Sequence, residues 1–175
     1  MKKPSISQLL ALLDKPALLN WANKQGLQGI DISKERSKWL NAGTSIHNQV
    51  EKFVNNGTPF LNKVDQDNFS RFISDKEIID LEKNIETEWF IGRYDFKVEF
   101  NGKILLIDFK NNAKNVYLEN KLQLVAYSMA EKCDLLAIVS VPAFTQFDVI
   151  IEDRKPYEDI LKSLSNIYYC KKQIE

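Results

Sequence analysis

Residues 92–110 constrain this chain more than any other stretch. Val98, Phe100, Ile104, Leu106 and Phe109 set apolar residues on either side of Asn101-Gly102, the dipeptide that best predicts a tight hairpin turn. The predicted hairpin also carries charge where a strand should be apolar. Asp95 ends Gly92-Arg-Tyr-Asp95, and Asp108 and Lys110 close the run Ile-Leu-Leu-Ile-Asp-Phe-Lys. Residues i and i+2 of a strand share a face, so Asp108 and Lys110 point the same way. Holding both there costs desolvation energy, which a divalent cation would offset. A solvated strand-surface ion pair is the competing reading of Asp108 and Lys110 taken alone.

Three further pieces surround the hairpin. Gly43-Thr-Ser-Ile-His47 lies upstream, Glu88 just before it, and Gln123-Leu-Val-Ala-Tyr127 after it. The order G-x-x-x-H, G-x-x-D, D-x-K, Q-x-x-x-Y over residues 43–127 resembles the RecB-like branch of the PD-(D/E)XK nucleases. That branch includes the RecB nuclease domain, the CRISPR adaptation exonucleases and the mitochondrial genome maintenance exonuclease. The opening Ser5-Ile-Ser-Gln-Leu-Leu and Lys15-Pro-Ala-Leu-Leu-Asn-Trp21 are similar to the N-terminal helices of its phage and mitochondrial members.

The resemblance implies a metal-dependent DNA nuclease with a restriction-endonuclease-like α/β core. Asp95 and Asp108 would be metal ligands on adjacent strands, and the backbone carbonyl of Phe109 a further one. Hard oxygen ligands select Mg²⁺ or Mn²⁺. Lys110 would orient the attacking water or stabilise negative charge in the transition state. His47, the single histidine, would contact the metal or the scissile phosphate region. Glu51, four residues on, shares its helix face and is either a partner fixing the imidazole or an exposed carboxylate. Glu86 and Glu88 both qualify for the glutamate that precedes the G-x-x-D motif, and Glu88 is favoured. Gln123 and Tyr127 lie one helical turn apart and are expected, with Arg93, to meet nucleic acid. A tyrosine packed in the core with its tip at the surface is the competing reading of Tyr127. Lys34, Arg36 and Lys38 either line a phosphate groove or form a solvated helix face.

Composition sets the outer bounds. The chain has 175 residues, 44% of them hydrophobic, which suffices for one core and predicts a single domain over 1–175, which the resemblance implies is a nuclease domain. Its parts are a helical 1–60, a catalytic sheet and helix over 85–151, and a C-terminal helix over 155–175. A formal net charge of zero argues against a broad basic sheath for nucleic acid but leaves room for a local groove. Two cysteines, Cys133 and Cys170, are too few for the iron–sulfur cluster of some relatives, and both are expected to be buried free thiols. One histidine without a close cysteine pair disfavours zinc. No run of 18 apolar residues and no signal-peptide pattern follows Met1, so the expected setting is a cytoplasm, bacterial or phage-infected, without membrane association. The expected partners are DNA with single-stranded or free ends and proteins of replication or recombination.

Periodicity predicts helical turns over 5–25, capped by Ser5 or Ser7 and interrupted by Pro16. A second helix is predicted over 35–55, with Trp39, Ile46, Val50 and Phe53 facing the core, and a short one over 75–84. Strands follow at about 85–91, 93–101 and 103–110, a helix at 115–131, strands at 134–141 and 146–151, and a last helix over Tyr157–Lys171. The expected fold is therefore an α/β sandwich around a mixed sheet, with a helical N-terminal extension. Three functional classes remain open: a nuclease, expected to be an exonuclease acting on DNA ends with an endonuclease or nickase as the alternative; an inactive nucleic-acid-binding module; and an interaction protein with an ordinary charged surface.

Overall fold

A computed structural model describes the backbone of residues 2–14 and 16–174, and every side chain in that range except those of 16–18 and 33–44. The expected contacts of Trp39, Lys34, Arg36 and Lys38 lie outside the described residues. The elements run α1 (Ile6–Leu10), α2 (Pro16–Leu27), α3 (Ile32–Asn56), α4 (Lys63–Ile73), β1 (Glu77–Glu86), β2 (Ile91–Phe100), β3 (Lys103–Asn111), α5 (Leu118–Ala130), β4 (Leu135–Val141), β5 (Thr145–Asp148) and α6 (Lys155–Ile174). The strands form one mixed sheet in the order β1-β2-β3-β4-β5. β1, β2 and β3 are antiparallel, β3 pairs parallel with β4, and β5 returns antiparallel. Parallel pairing requires a long crossover, which α5 supplies. The fold is thus the mixed α/β sheet with flanking helices that the sequence predicts.

Period-2 burial divides the core into two layers. Leu106 of β3 and Leu136 and Ile138 of β4 join Leu9, Leu122, Leu124, Val125 and Leu161 beneath α1, α5 and α6. Leu105, Ile107 and Phe109 of β3 face the other way, with Val139, against Ile46 and Val50 of α3 and Phe69 and Phe72 of α4. Six phenylalanines (Phe53, Phe60, Phe69, Phe72, Phe96 and Phe144) interlock in this second layer in stacked, tilted and edge-on contacts. With both faces covered, β4 reads Leu-Leu-Ala-Ile-Val-Ser-Val, a nearly continuous apolar run.

Three elements differ from the sequence reading. The segment predicted as a helix over 75–84 is β1, an edge strand paired with β2 and bulged between Ile78 and Asp80. Ile78, Leu81 and Ile85 have helical spacing, but pairing with β2 overrides a weak local preference. The strand predicted over 85–91 is mostly the turn after β1, where the Thr87 hydroxyl accepts from the amides of Trp89 and Phe90. α4, N-capped by Asn62, was not anticipated at all. Cys133 is half-buried beside Arg154 and Cys170 is exposed, so the expectation of two buried thiols fails for Cys170. No helix among the described residues is long and apolar enough to cross a membrane.

Candidate metal centre

The site begins where the β2–β3 ladder stops. The last register pair is Phe96–Ile107. Beyond it the Phe109 amide donates instead to Asp95 Oδ2, at 2.6 Å. Tyr94 packs in the α1/α5/α6 layer and Phe96 in the α3/α4 layer, although residues two apart in a regular strand share a face. β2 therefore turns over at Asp95. On its other side β1 pairs Leu81 with Phe96 and Lys83 with Tyr94, which sets Glu82 opposite Asp95. Glu82 has φ 50°, a left-handed conformation that a side-chain-bearing strand residue rarely adopts.

The strand irregularity gathers donor atoms. Among the described residues His47, Glu82 and Asp95 each place a ligand atom within 4.8 Å of the other two. His47 reaches in from α3, its Nδ1 3.3 Å from Glu82 Oε1 and 3.5 Å from Asp95 Oδ1, with its ring edge-on to Phe109. Its Nδ1 partners are thus Glu82 and Asp95 rather than Glu51. Burial pushes the imidazole pKa down, but the hydrogen bond to Glu82 and the negative charge of Asp95, Glu82 and Asp108 outweigh it and raise the pKa overall. Burial and the nearby Asp108 push the Asp95 carboxyl up to about 7.

Asp108, Lys110 and α5 form the adjoining half. Asp108 is buried, and Lys110 Nζ lies 2.6 Å from its Oδ2. Lys110 also donates to Gln123 Oε1 at 2.9 Å. Gln123 donates in turn to the Tyr127 hydroxyl at 2.5 Å, and that hydroxyl donates to Asp108 Oδ1 at 3.2 Å. Burial pushes the Lys110 ammonium toward deprotonation, but Asp108 and Asp95 more than reverse this and raise its pKa. Tyr127 is 2% exposed, so its ring belongs to the core and its hydroxyl fixes Asp108. Gln123 and Tyr127, expected to meet nucleic acid, are in the first instance the brace for Asp108 and Lys110.

Among the described residues, none donates an aligned hydrogen bond to two buried carboxylate oxygens, Glu82 Oε2 and Asp108 Oδ2. Each meets a cation by proximity: Arg93 Nε at 2.9 Å from the first and Lys110 Nζ from the second. Arg93, Asp95, Asp108, Phe109, Lys110, Gln123 and Tyr127 line a cleft of about 520 Å³ together with His47. Ser5, Ile6 and Ser7 wall one side of it. That wall depends on Gly92, where a Cβ would overlap Cδ1 of Ile6 and crowd its Cγ1 at 3.2 Å.

The two glutamates that qualify from sequence, Glu88 favoured and Glu86 the alternative, are elsewhere. Glu88 is exposed in the turn after β1, and Glu86 is exposed and paired with Lys3. Glu82 stands in the centre instead. It was missed because its segment was read as a helix. Ile79, Leu81 and Ile85 do carry the alternation of a strand, but the bulge at Ile79 breaks its phase.

No protein-family profile and no curated protein matches the chain. Among solved structures it is similar to one described as the crystal structure of SSO0001, with 13% identity, a TM-score of 0.48, and coverage of 94% of this chain and 76% of that one. A likeness of that size carries no argument about function.

Proposed function

We propose that the chain is a divalent-metal-dependent deoxyribonuclease of the RecB-like PD-(D/E)XK type, an exonuclease acting on DNA ends in replication, recombination or repair. The observation that carries this reading is the pair of buried carboxylate oxygens, on Glu82 and Asp108, that flank His47 and Asp95 without aligned donors. Buried carboxylates gathered this closely repel one another, and a hard cation satisfies several at once. His47, Glu82, Asp95 and Asp108 would hold Mg²⁺ or Mn²⁺, with the Phe109 carbonyl as a further oxygen. One imidazole among carboxylates suits Mn²⁺ as well as Mg²⁺. When bound, the cation supplies a water of lowered pKa and a charge clamp on a phosphate oxygen.

The remaining work falls to the chain. Hydrolysis forms a bond from water oxygen to phosphorus, breaks the bond to the leaving alkoxide, and returns a proton to that oxygen. In the metal-free site Asp108 and Asp95 hold Lys110 as an ammonium against the effect of burial. Lys110 orients the attacking water or stabilises charge gathering on the phosphate oxygens. Gln123 fixes its direction, and Tyr127 fixes Asp108.

The test is cleavage of end-labelled linear single- and double-stranded DNA, beside a closed circle, in Mg²⁺, Mn²⁺ or EDTA. Metal-dependent shortening from an end that spares the circle is expected. Nicking of the circle would replace exonuclease by endonuclease, and no cleavage in any metal would leave a binding module.

A further inference from the structure

The chemistry above leaves the Arg93–Glu82 contact without a role. Arg93 Nε lies 2.9 Å from Glu82 Oε2, yet the two side chains differ sharply in setting: Glu82 is 8% exposed and Arg93 is 60% exposed. A carboxylate that deep needs a compensating charge, and Arg93 provides one from the rim of the cleft. Glu82 Oε1 faces His47 and Oε2 faces Arg93, so a cation held with His47 would share one buried carboxylate with the guanidinium, and the two positive charges would repel across it. Arg93 sits on a long, exposed stem and loses little by turning outward. A guanidinium pairs well with phosphate, and the cleft that Arg93 lines is the one that a substrate strand would enter.

We infer that Arg93 is an exchangeable counter-ion: it neutralises Glu82 while the centre holds no metal, and turns to a substrate phosphate once a cation takes that carboxylate. The inference rests on the metal-dependent nuclease reading. It makes metal and DNA binding mutually reinforcing, because each draws on the same displacement of Arg93 from Glu82, and such coupling is reciprocal. An ordinary surface ion pair would couple the two in neither direction.

The test compares wild type with Arg93→Met, which keeps the stem and drops the charge, and Arg93→Lys, which keeps the charge. Calorimetric titration with Mn²⁺ should show Arg93→Met binding roughly two- to fivefold more tightly than wild type, the range set by a half-exposed ion pair. Arg93→Lys should stay near wild type. Binding of a single-stranded oligonucleotide is then followed against salt in a Lys110→Ala background, which keeps every proposed ligand. With Mn²⁺ present, Arg93→Met should weaken binding and reduce the slope of log affinity against log salt by about 0.7, one phosphate contact. Without Mn²⁺ it should change neither. If wild type binds Mn²⁺ and Arg93→Met binds it equally or more weakly, the counter-ion role is wrong and the nuclease reading stands. If wild type binds no Mn²⁺, both fall. Arg93→Met leaves the Glu82 carboxylate unpaired in metal-free protein, so its melting temperature should fall below that of wild type without metal and recover toward it in Mn²⁺; far-ultraviolet circular dichroism matching wild type excludes misfolding as the cause.

Discussion

The amide of Phe109 donates to Asp95 Oδ2 at 2.6 Å, and this bond replaces the ladder pairing that β2 and β3 abandon after Phe96–Ile107. One side chain thus both parts the strands and occupies the gap. Glu82, opposite Asp95 on β1 and held at φ 50°, extends the opening to the next strand. His47 closes it from α3, and Asp108 and Lys110 border it from β3. Among the described residues, three carboxylates there face two permanent cations, Arg93 and Lys110, and an imidazole whose pKa is raised. The metal-free site is therefore one that favours bound protons.

That protonation has a definite sign. The folded Asp95 carboxyl has a pKa of about 7, whereas an unfolded aspartate titrates near 3.9. Folded protein holds a proton that unfolded chain has lost, so this contribution to stability is present at about pH 4 and is lost as pH rises through about 7. His47, also raised, acts in the same direction, its contribution being lost as pH rises above its ordinary range. Asp80, where burial is outweighed by hydrogen bonds from Lys83 and Tyr94, and Glu131, lowered by Lys97 and Lys83, act the opposite way, but only as pH falls through the acid range. Between pH 5 and 8 the metal-free protein should thus melt at progressively lower temperature. Asp95→Asn should flatten that slope, and Mn²⁺ should raise the melting temperature more at pH 8 than at pH 5. A melting temperature that rises from pH 5 to 8 would contradict this account.

Tyr127→Phe removes the hydroxyl that bonds Asp108 and leaves a ring that is already core. The turnover rate should fall, by roughly tenfold if it matches other supports of site residues, with little change in DNA affinity. Weaker DNA binding at an unchanged rate would return Tyr127 to direct contact with substrate.

Gly92→Ala should push α1 off β2, since the new methyl overlaps Ile6. A loss of about 1–3 kcal/mol is expected from chemical denaturation, in keeping with overpacking. Ile6→Ala in the same chain should recover part of it by making room. If Gly92→Ala melts like wild type, the close packing of α1 on β2 is wrong.

The constellation was legible where it depended on local geometry. Asp108 and Lys110 share a strand face by spacing alone, and Gln123 and Tyr127 share a helix face in the same way. The Asn101-Gly102 turn, with both residues at positive φ, fixed the hairpin between Asp95 and Asp108. What could not be read were consequences of pairing between segments. Glu82 enters the centre only because β1 lies along β2 in one register, and the bulge at Ile79 hides that register from a count of apolar positions. Tyr127 raised the same difficulty from the opposite side. Its position in a motif suggested contact with a ligand, whereas its buried ring and its bond to Asp108 are products of packing.

Glu82 and Glu88 separate the two readings of the site glutamate. Glu82→Gln should weaken Mn²⁺ binding by roughly 10- to 100-fold, while Glu88→Gln, exposed in its turn, should leave it unchanged. A further comparison isolates the backbone strain. Glu82→Gly should be more stable than Glu82→Ala by about 1 kcal/mol, because glycine adopts positive φ without penalty. Equal stability would mean that the left-handed conformation at Glu82 is not held in solution.

The most direct measurement of the central claim is the rate of cleavage of end-labelled single-stranded DNA against Mn²⁺ concentration, for wild type, Glu82→Gln and Lys110→Ala. Wild type should cut with a rate that saturates in Mn²⁺ and vanishes in EDTA. Glu82→Gln should need at least about tenfold more metal. Lys110→Ala should bind the metal and fail to cut, a loss of about 10²-fold or more. Cleavage that persists in EDTA, or a fully active Lys110→Ala protein, would contradict the assignment of this centre.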